Sequence, residues 1–100
     1  MSDEYPYQHI FERDKFTCQY CGWDGSKNFT EWWIANLSID HIKAVIHEGG
    51  GEDNNLVVSC HSCNLYKGSH KVETKEEAKE YVAKKRKEAE EWFNKHVLNR

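Results

Sequence analysis

The chain has 100 residues, of which 38% are apolar and 31% charged, and its mean hydropathy is -0.93. A domain of this length buries only about 60–68% of the surface its unfolded chain exposes, so its core calls for a further staple. No apolar run reaches the length of about 18 residues that a membrane-spanning helix needs. Met1 to Tyr7 carry neither a basic nor an apolar leader segment, so no secretory signal is expected. The four cysteines are therefore expected in a reducing compartment, where thiolate–metal chemistry is commoner than disulfides. The formal net charge is -3, unevenly spread: residues 1–59 hold four basic and ten acidic side chains, residues 60–100 ten basic and seven acidic. That balance implies weak, salt-sensitive, non-specific affinity for any nucleic-acid partner.

Pro6 opens a predicted first helix to about Asp14, with Ile10 and Phe11 facing inward and Ser2 or Asp3 as its cap. Cys18-Gln-Tyr-Cys21-Gly22 reads as a metal knuckle, with Gly22 free to take the positive φ of its closing turn. Asp24-Gly25-Ser26 is a turn. Phe29 to Ile42 is rich in aromatic and β-branched residues, and Leu37, Ile39 and His41 alternate with polar positions, which predicts one or two strands. Gly49 to Asn54 predicts a loop, and Leu56-Val57-Val58 a short buried strand. Cys60-His-Ser-Cys63 opens a second knuckle, with a helix expected from Asn64 to about Lys67, ending near Gly68. Thr74 and Glu77 form a capping box. Ala78, Tyr81, Val82, Ala89, Trp92 and Phe93 then recur at helical spacing, predicting a C-terminal helix over about 74–98 that docks on the domain. Residues 1–100 read as one domain with its core at about 10–68.

The two CxxC pairs, Cys18/Cys21 and Cys60/Cys63, are separated by 38 residues. Two such pairs complete a closed tetrahedral Zn²⁺ site with no open position, so this metal is expected to be structural. His61 is an alternative ligand between two cysteines. A closed site of this kind does not by itself specify a function.

Around the pairs runs a longer pattern: Arg13-Asp14, Cys18-x-x-Cys21-Gly22, Asp40-His41-Ile42, Gly49-Gly50, Asn55-Leu56, and Cys60-x-x-Cys63-Asn64-x-x-Lys67. His41 lies 14 residues before Asn55, and Asn55 lies 9 before Asn64. This order resembles the HNH endonuclease family, in the subgroup whose ββα-metal motif is braced by two zinc knuckles. The resemblance covers about residues 10–68, with Asn64 at a position where the family often has histidine. It implies a small α+β fold: a ββα-metal, treble-clef-like core stapled by a four-cysteine zinc site, with flanking N- and C-terminal helices. It also implies a DNA endonuclease using one catalytic Mg²⁺ or Mn²⁺, acting in the cytoplasm of a bacterium or phage-infected cell and nicking one strand per active site.

The residues suit that chemistry. A neutral imidazole takes a proton from water near neutral pH. Asp40 and Asn64 offer hard oxygen ligands suited to Mg²⁺ or Mn²⁺. By resemblance, His41 is the general base, Asp40 and Asn64 hold the catalytic metal, and Asn55 holds the loop through side-chain-to-backbone hydrogen bonds. Lys67, one turn after Asn64, is expected to contact phosphate. Asp40 and His41 point to opposite faces of an extended segment, so a backbone bend is expected there.

A non-catalytic zinc module that binds nucleic acid or protein accounts for the cysteines but not for Asp40, His41, Asn55 and Asn64 together. His9, His47, His70 and His96 read as surface histidines, with His47 flagged for its place in the loop after His41. Trp23, Trp32 and Trp33 read as core or rim aromatics, and Lys84 to Lys87 as a solvated helix face. A homodimer and a phage or restriction partner are both compatible with the sequence.

Overall fold

The computed structural model describes residues 6–99, so the expected caps Ser2 and Asp3 lie outside the described residues. Helix α1 spans Gln8–Arg13 and buries Ile10 completely. Its last residues clip it to the strands. Asp14 accepts a hydrogen bond from the Val58 amide at 2.9 Å, and the Arg13 guanidinium donates to the Asp53 and Leu56 carbonyls.

The stretch from Phe29 does not begin as a strand. Helix α2 spans Phe29–Ala35, and only Ser38–His41 forms strand β1. Aromatic composition favours strands, but here a local cap prevails: the Asn28 side chain accepts the Glu31 amide at 2.9 Å, and Asn36 ends the helix in the left-handed region. Ala35 is buried, and Trp32 packs with Phe11 and Phe16. Trp33 is 73% exposed, so of the three expected core or rim tryptophans this one stands in solvent.

Strand β2 spans Leu56–Ser59 and is buried along its whole length. It pairs antiparallel with β1, with Asp40 opposite Val57 and His41 opposite Leu56. The connection between them contains two short 3₁₀ turns, Val45–His47 and Asp53–Asn55. Helix α3, His61–Lys67, follows β2 at once, which completes a ββα unit. Helix α4, Lys75–Phe93, starts at Thr74, whose hydroxyl accepts the Glu77 amide at 3.1 Å. The Glu77 carboxylate accepts the Glu73 amide at 3.0 Å, so the capping box closes one residue earlier than its usual form.

The expected docking stripe of α4 is only half used. Ala78 and Val82 are buried, whereas Trp92 and Phe93 near its end are 61% and 45% exposed. A single π-helical turn, Asn94–Leu98, follows. The core thus gathers around the knuckles: Cys18, Tyr20, Cys60 and Cys63 pack with Ala35, Ile42, Val57, Val72, Ala78 and Val82. A smaller cluster of Ile10, Leu56 and Val58 lies beneath α1.

The β1–β2 connection folds back tightly at Gly49, where an added Cβ would overlap the Lys43 carbonyl, while Gly51 faces open space. Gly49→Ala should therefore lower stability by about 1–3 kcal/mol in denaturant melts, the usual range for overpacking. Gly51→Ala should stay within about 0.5 kcal/mol of the parent. Equal losses at the two positions would contradict this picture of the loop.

Candidate active site and metal centre

The four cysteines converge. Cys18 and Cys21 come from the turn after α1, Cys60 from the end of β2, and Cys63 from the first turn of α3. Their sulfurs all lie within 4.8 Å of one another, and Cys21 Sγ is 3.8 Å from Cys60 Sγ. Four thiolates around Zn²⁺ at its usual bond length stand about 3.8 Å apart, so the donor set and spacing fit structural zinc. Gly22 takes φ 81° beside the first pair, the left-handed turn its position requires. His61 is exposed, and the metal-binding cluster is formed by the four cysteines alone among the described residues.

Close packing of four thiols makes their titration mutual. Hydrogen bonds from Cys60 and Cys63 draw Cys18 far down towards its thiolate. That same sulfur pushes Cys60 up to about 11, and Cys18 and Cys60 together push Cys63 well above the thiol range. A bound divalent cation relieves this repulsion and displaces the remaining protons.

Each knuckle also carries an arm to Asp40. Tyr20 stands between Cys18 and Cys21, is 3% exposed, and donates its hydroxyl to Asp40 Oδ2 at 2.6 Å. Burial and this hydrogen bond raise its pKa far above the phenol range, so it stays a donor. Lys67 stands four residues after Cys63 on α3. Its ammonium lies 3.2 Å from the same Asp40 oxygen and donates to the His41 carbonyl at 2.9 Å.

This geometry corrects the expectation for Lys67. The side chain is 1% exposed and faces β1, so it is not presented to a phosphate in solution. Lys67 does share a helix with Asn64 one turn away, but α3 packs the lysine against the strand pair. An ammonium buried there requires Asp40 and a carbonyl as partners.

His41 closes β1, and its ring is half-buried. Among the described residues, no group hydrogen-bonds the imidazole. Asp40 points inward while His41 points to the other face, and the backbone bends only after the pair, at Ile42 and Lys43. Asn55 fixes that bend. Its Oδ1 accepts the Lys43 amide at 2.9 Å, and its Nδ2 donates to the Lys43 and Gly50 carbonyls at 3.0 and 2.8 Å. Asn64 sits one turn before Lys67, half-buried, with no side-chain partner among the described residues.

Four of the remaining histidines serve local contacts, one of them His96, whose ring lies against Trp92. His47 bonds the Ser69 carbonyl at 2.7 Å, His9 meets Asp53 at 3.1 Å, and His70 stacks on Tyr81. A cleft of about 640 Å³ lies between α1 and α2 and is lined by Phe11, Phe16, Phe29 and Trp32, with none of the site residues among its walls. Nothing in the sequence points to Tyr20 beyond its apolar body between two metal ligands; a buried tyrosine hydroxyl needs a partner, but not a named one.

The fold and the site define a ββα-metal unit braced by two CxxC knuckles. A family model described as HNH endonuclease matches residues 18–70, more than half of the chain, and the chain belongs to that family. No curated protein and no solved structure matches it. Among the described residues, no helix is long and apolar enough to cross a membrane.

Two stability outcomes follow from this geometry. Lys67→Met strands the Asp40 carboxylate and should destabilise the protein by about 3–5 kcal/mol in chemical denaturation. Adding Asp40→Asn should recover part of that loss, whereas simple additivity of the two changes would contradict the pairing. Chelation, or Cys60→Ser, should remove zinc and tertiary structure together, followed by metal analysis and circular dichroism. A zinc-free protein with native tertiary signals would refute the staple.

Proposed function

We propose that the protein is a metal-dependent DNA endonuclease that hydrolyses phosphodiester bonds with His41 as general base. The observation that carries this reading is the state of His41. Its backbone is gripped by Lys67 and by pairing with Leu56, while its imidazole is left without a protein partner among the described residues. A ring with free nitrogens on a held backbone suits proton transfer from an attacking water. Membership of the HNH family supports the same reaction class.

Asp40 and Asn64 are the proposed ligands of a single divalent cation, Mg²⁺ or Mn²⁺. Their hard oxygen atoms fit such an ion, and the amide of Asn64 has no competing partner among the described residues. Such an ion supplies charge stabilisation for the scissile phosphate and the leaving 3′ oxygen. The chain's own groups do the rest. His41 accepts the water proton. Asn55 locks the bend directly after His41, and so holds the ring's approach to the phosphate. Lys67 acts from beneath as a positioning residue that ties the base-bearing strand to α3.

One such site cuts one strand, so the proposed product is a nick. The net charge of -3 implies modest DNA affinity. In a plasmid-nicking assay with Mg²⁺ or Mn²⁺, His41→Ala should lose roughly 10²–10⁴ in rate, the usual worth of a general base, with its zinc content unchanged. Undiminished cleavage by that variant would overturn the assignment, and inert wild-type protein would leave a non-catalytic zinc module as the better reading.

A further inference from the structure

The two contacts on Asp40 are unequal in kind but share one atom. The Tyr20 hydroxyl and the Lys67 ammonium both meet Oδ2, at 2.6 and 3.2 Å, and Oδ1 accepts no hydrogen bond among the described residues. Tyr20 is flanked on both sides by knuckle cysteines, and it is buried in the same cluster as Cys18, Cys60 and Cys63. Its ring has no freedom to follow a carboxylate that turns.

Resting on the reading of Asp40 as a ligand of the divalent ion, we propose that Tyr20 is a positioning residue for that ion. By pinning Oδ2, it leaves Oδ1 as the single oxygen Asp40 offers. It also keeps the carboxylate from turning both oxygens onto the Lys67 ammonium, a fixed positive charge that competes with any cation for the same group. The structural knuckle thereby sets the affinity of the second metal. Outer hydrogen-bond partners of metal ligands commonly change affinity by roughly 10–100-fold when removed.

Tyr20→Phe keeps the ring and removes only the donor. Mn²⁺ binding to the zinc-loaded protein, read from the electron paramagnetic resonance of free Mn²⁺, should weaken roughly 10–100-fold. Zinc content and circular dichroism should match the parent. Cleavage should fall at low Mn²⁺ and recover as Mn²⁺ is raised, a change in metal requirement rather than in the saturated rate. A purely structural role would instead lower the melting temperature and leave Mn²⁺ affinity unmoved. In an Asp40→Asn background, Tyr20→Phe should add little further loss of Mn²⁺ affinity, since the two act through one oxygen.

The outcomes separate cleanly. Parental Mn²⁺ affinity in Tyr20→Phe, alongside lost affinity in Asp40→Asn, overturns the role of Tyr20 alone. Parental affinity in Asp40→Asn overturns the metal-ligand reading of Asp40, and the role of Tyr20 falls with it.

Discussion

Four sulfurs drawn within 4.8 Å of one another are the constraint on which the rest of this structure depends. They come from segments far apart in the chain, and they join the turn after α1 directly to the start of α3. The apolar core is assembled on the same residues: Cys18, Cys60 and Cys63 are themselves buried members of the main cluster. Without a metal the thiols oppose one another, since one thiolate drives its neighbours' protons to bind more tightly. With a metal that opposition becomes cross-linking, and the free energy of metal binding becomes folding free energy. A chain of 100 residues with a thin core has few other routes to a single fold.

From this staple, rigidity passes to Asp40 through two arms, Tyr20 from one knuckle and Lys67 from the other. A buried lysine costs desolvation that a single carboxylate seldom repays, so its value here is placement more than stability. The ammonium balances Asp40 and holds the His41 carbonyl at the same time, which joins the two neighbouring site residues to one helix. Asn55 acts on the loop beyond them, by three hydrogen bonds to its backbone. The proposed base is therefore immobilised through its main chain, and its ring stays available for chemistry.

Local features are legible in the sequence, and tertiary ones are hidden. The cap at Thr74, the knuckle glycine Gly22 and the all-apolar Leu56-Val57-Val58 are decided by residues within a few positions, and the structure has each of them. The cysteine spacing points to the metal centre because ligand geometry leaves few alternatives. The segment from Phe29 departs from its expected strand because the Asn28–Glu31 cap, a local signal present in the sequence, outweighs aromatic content. Lys67 departs from expectation for a different reason. Its spacing from Asn64 is visible in the sequence, but whether it meets solvent or a strand depends on how α3 packs. The outer part of α4 shows the same limit, since its periodic Trp92 and Phe93 find no surface among the described residues to bury them.

The proposed mechanism needs one small fold to hold two chemically distinct metals, a thiolate-bound ion that builds the site and an oxygen-bound ion that works in it. Crystals of the zinc protein soaked in Mn²⁺, with anomalous maps collected at both absorption edges, test this most directly. The expected maps show a zinc peak among Cys18, Cys21, Cys60 and Cys63 and a separate manganese peak against Asp40 and Asn64. Manganese absent from Asp40 and Asn64 in a fully zinc-loaded crystal would contradict the two-metal mechanism.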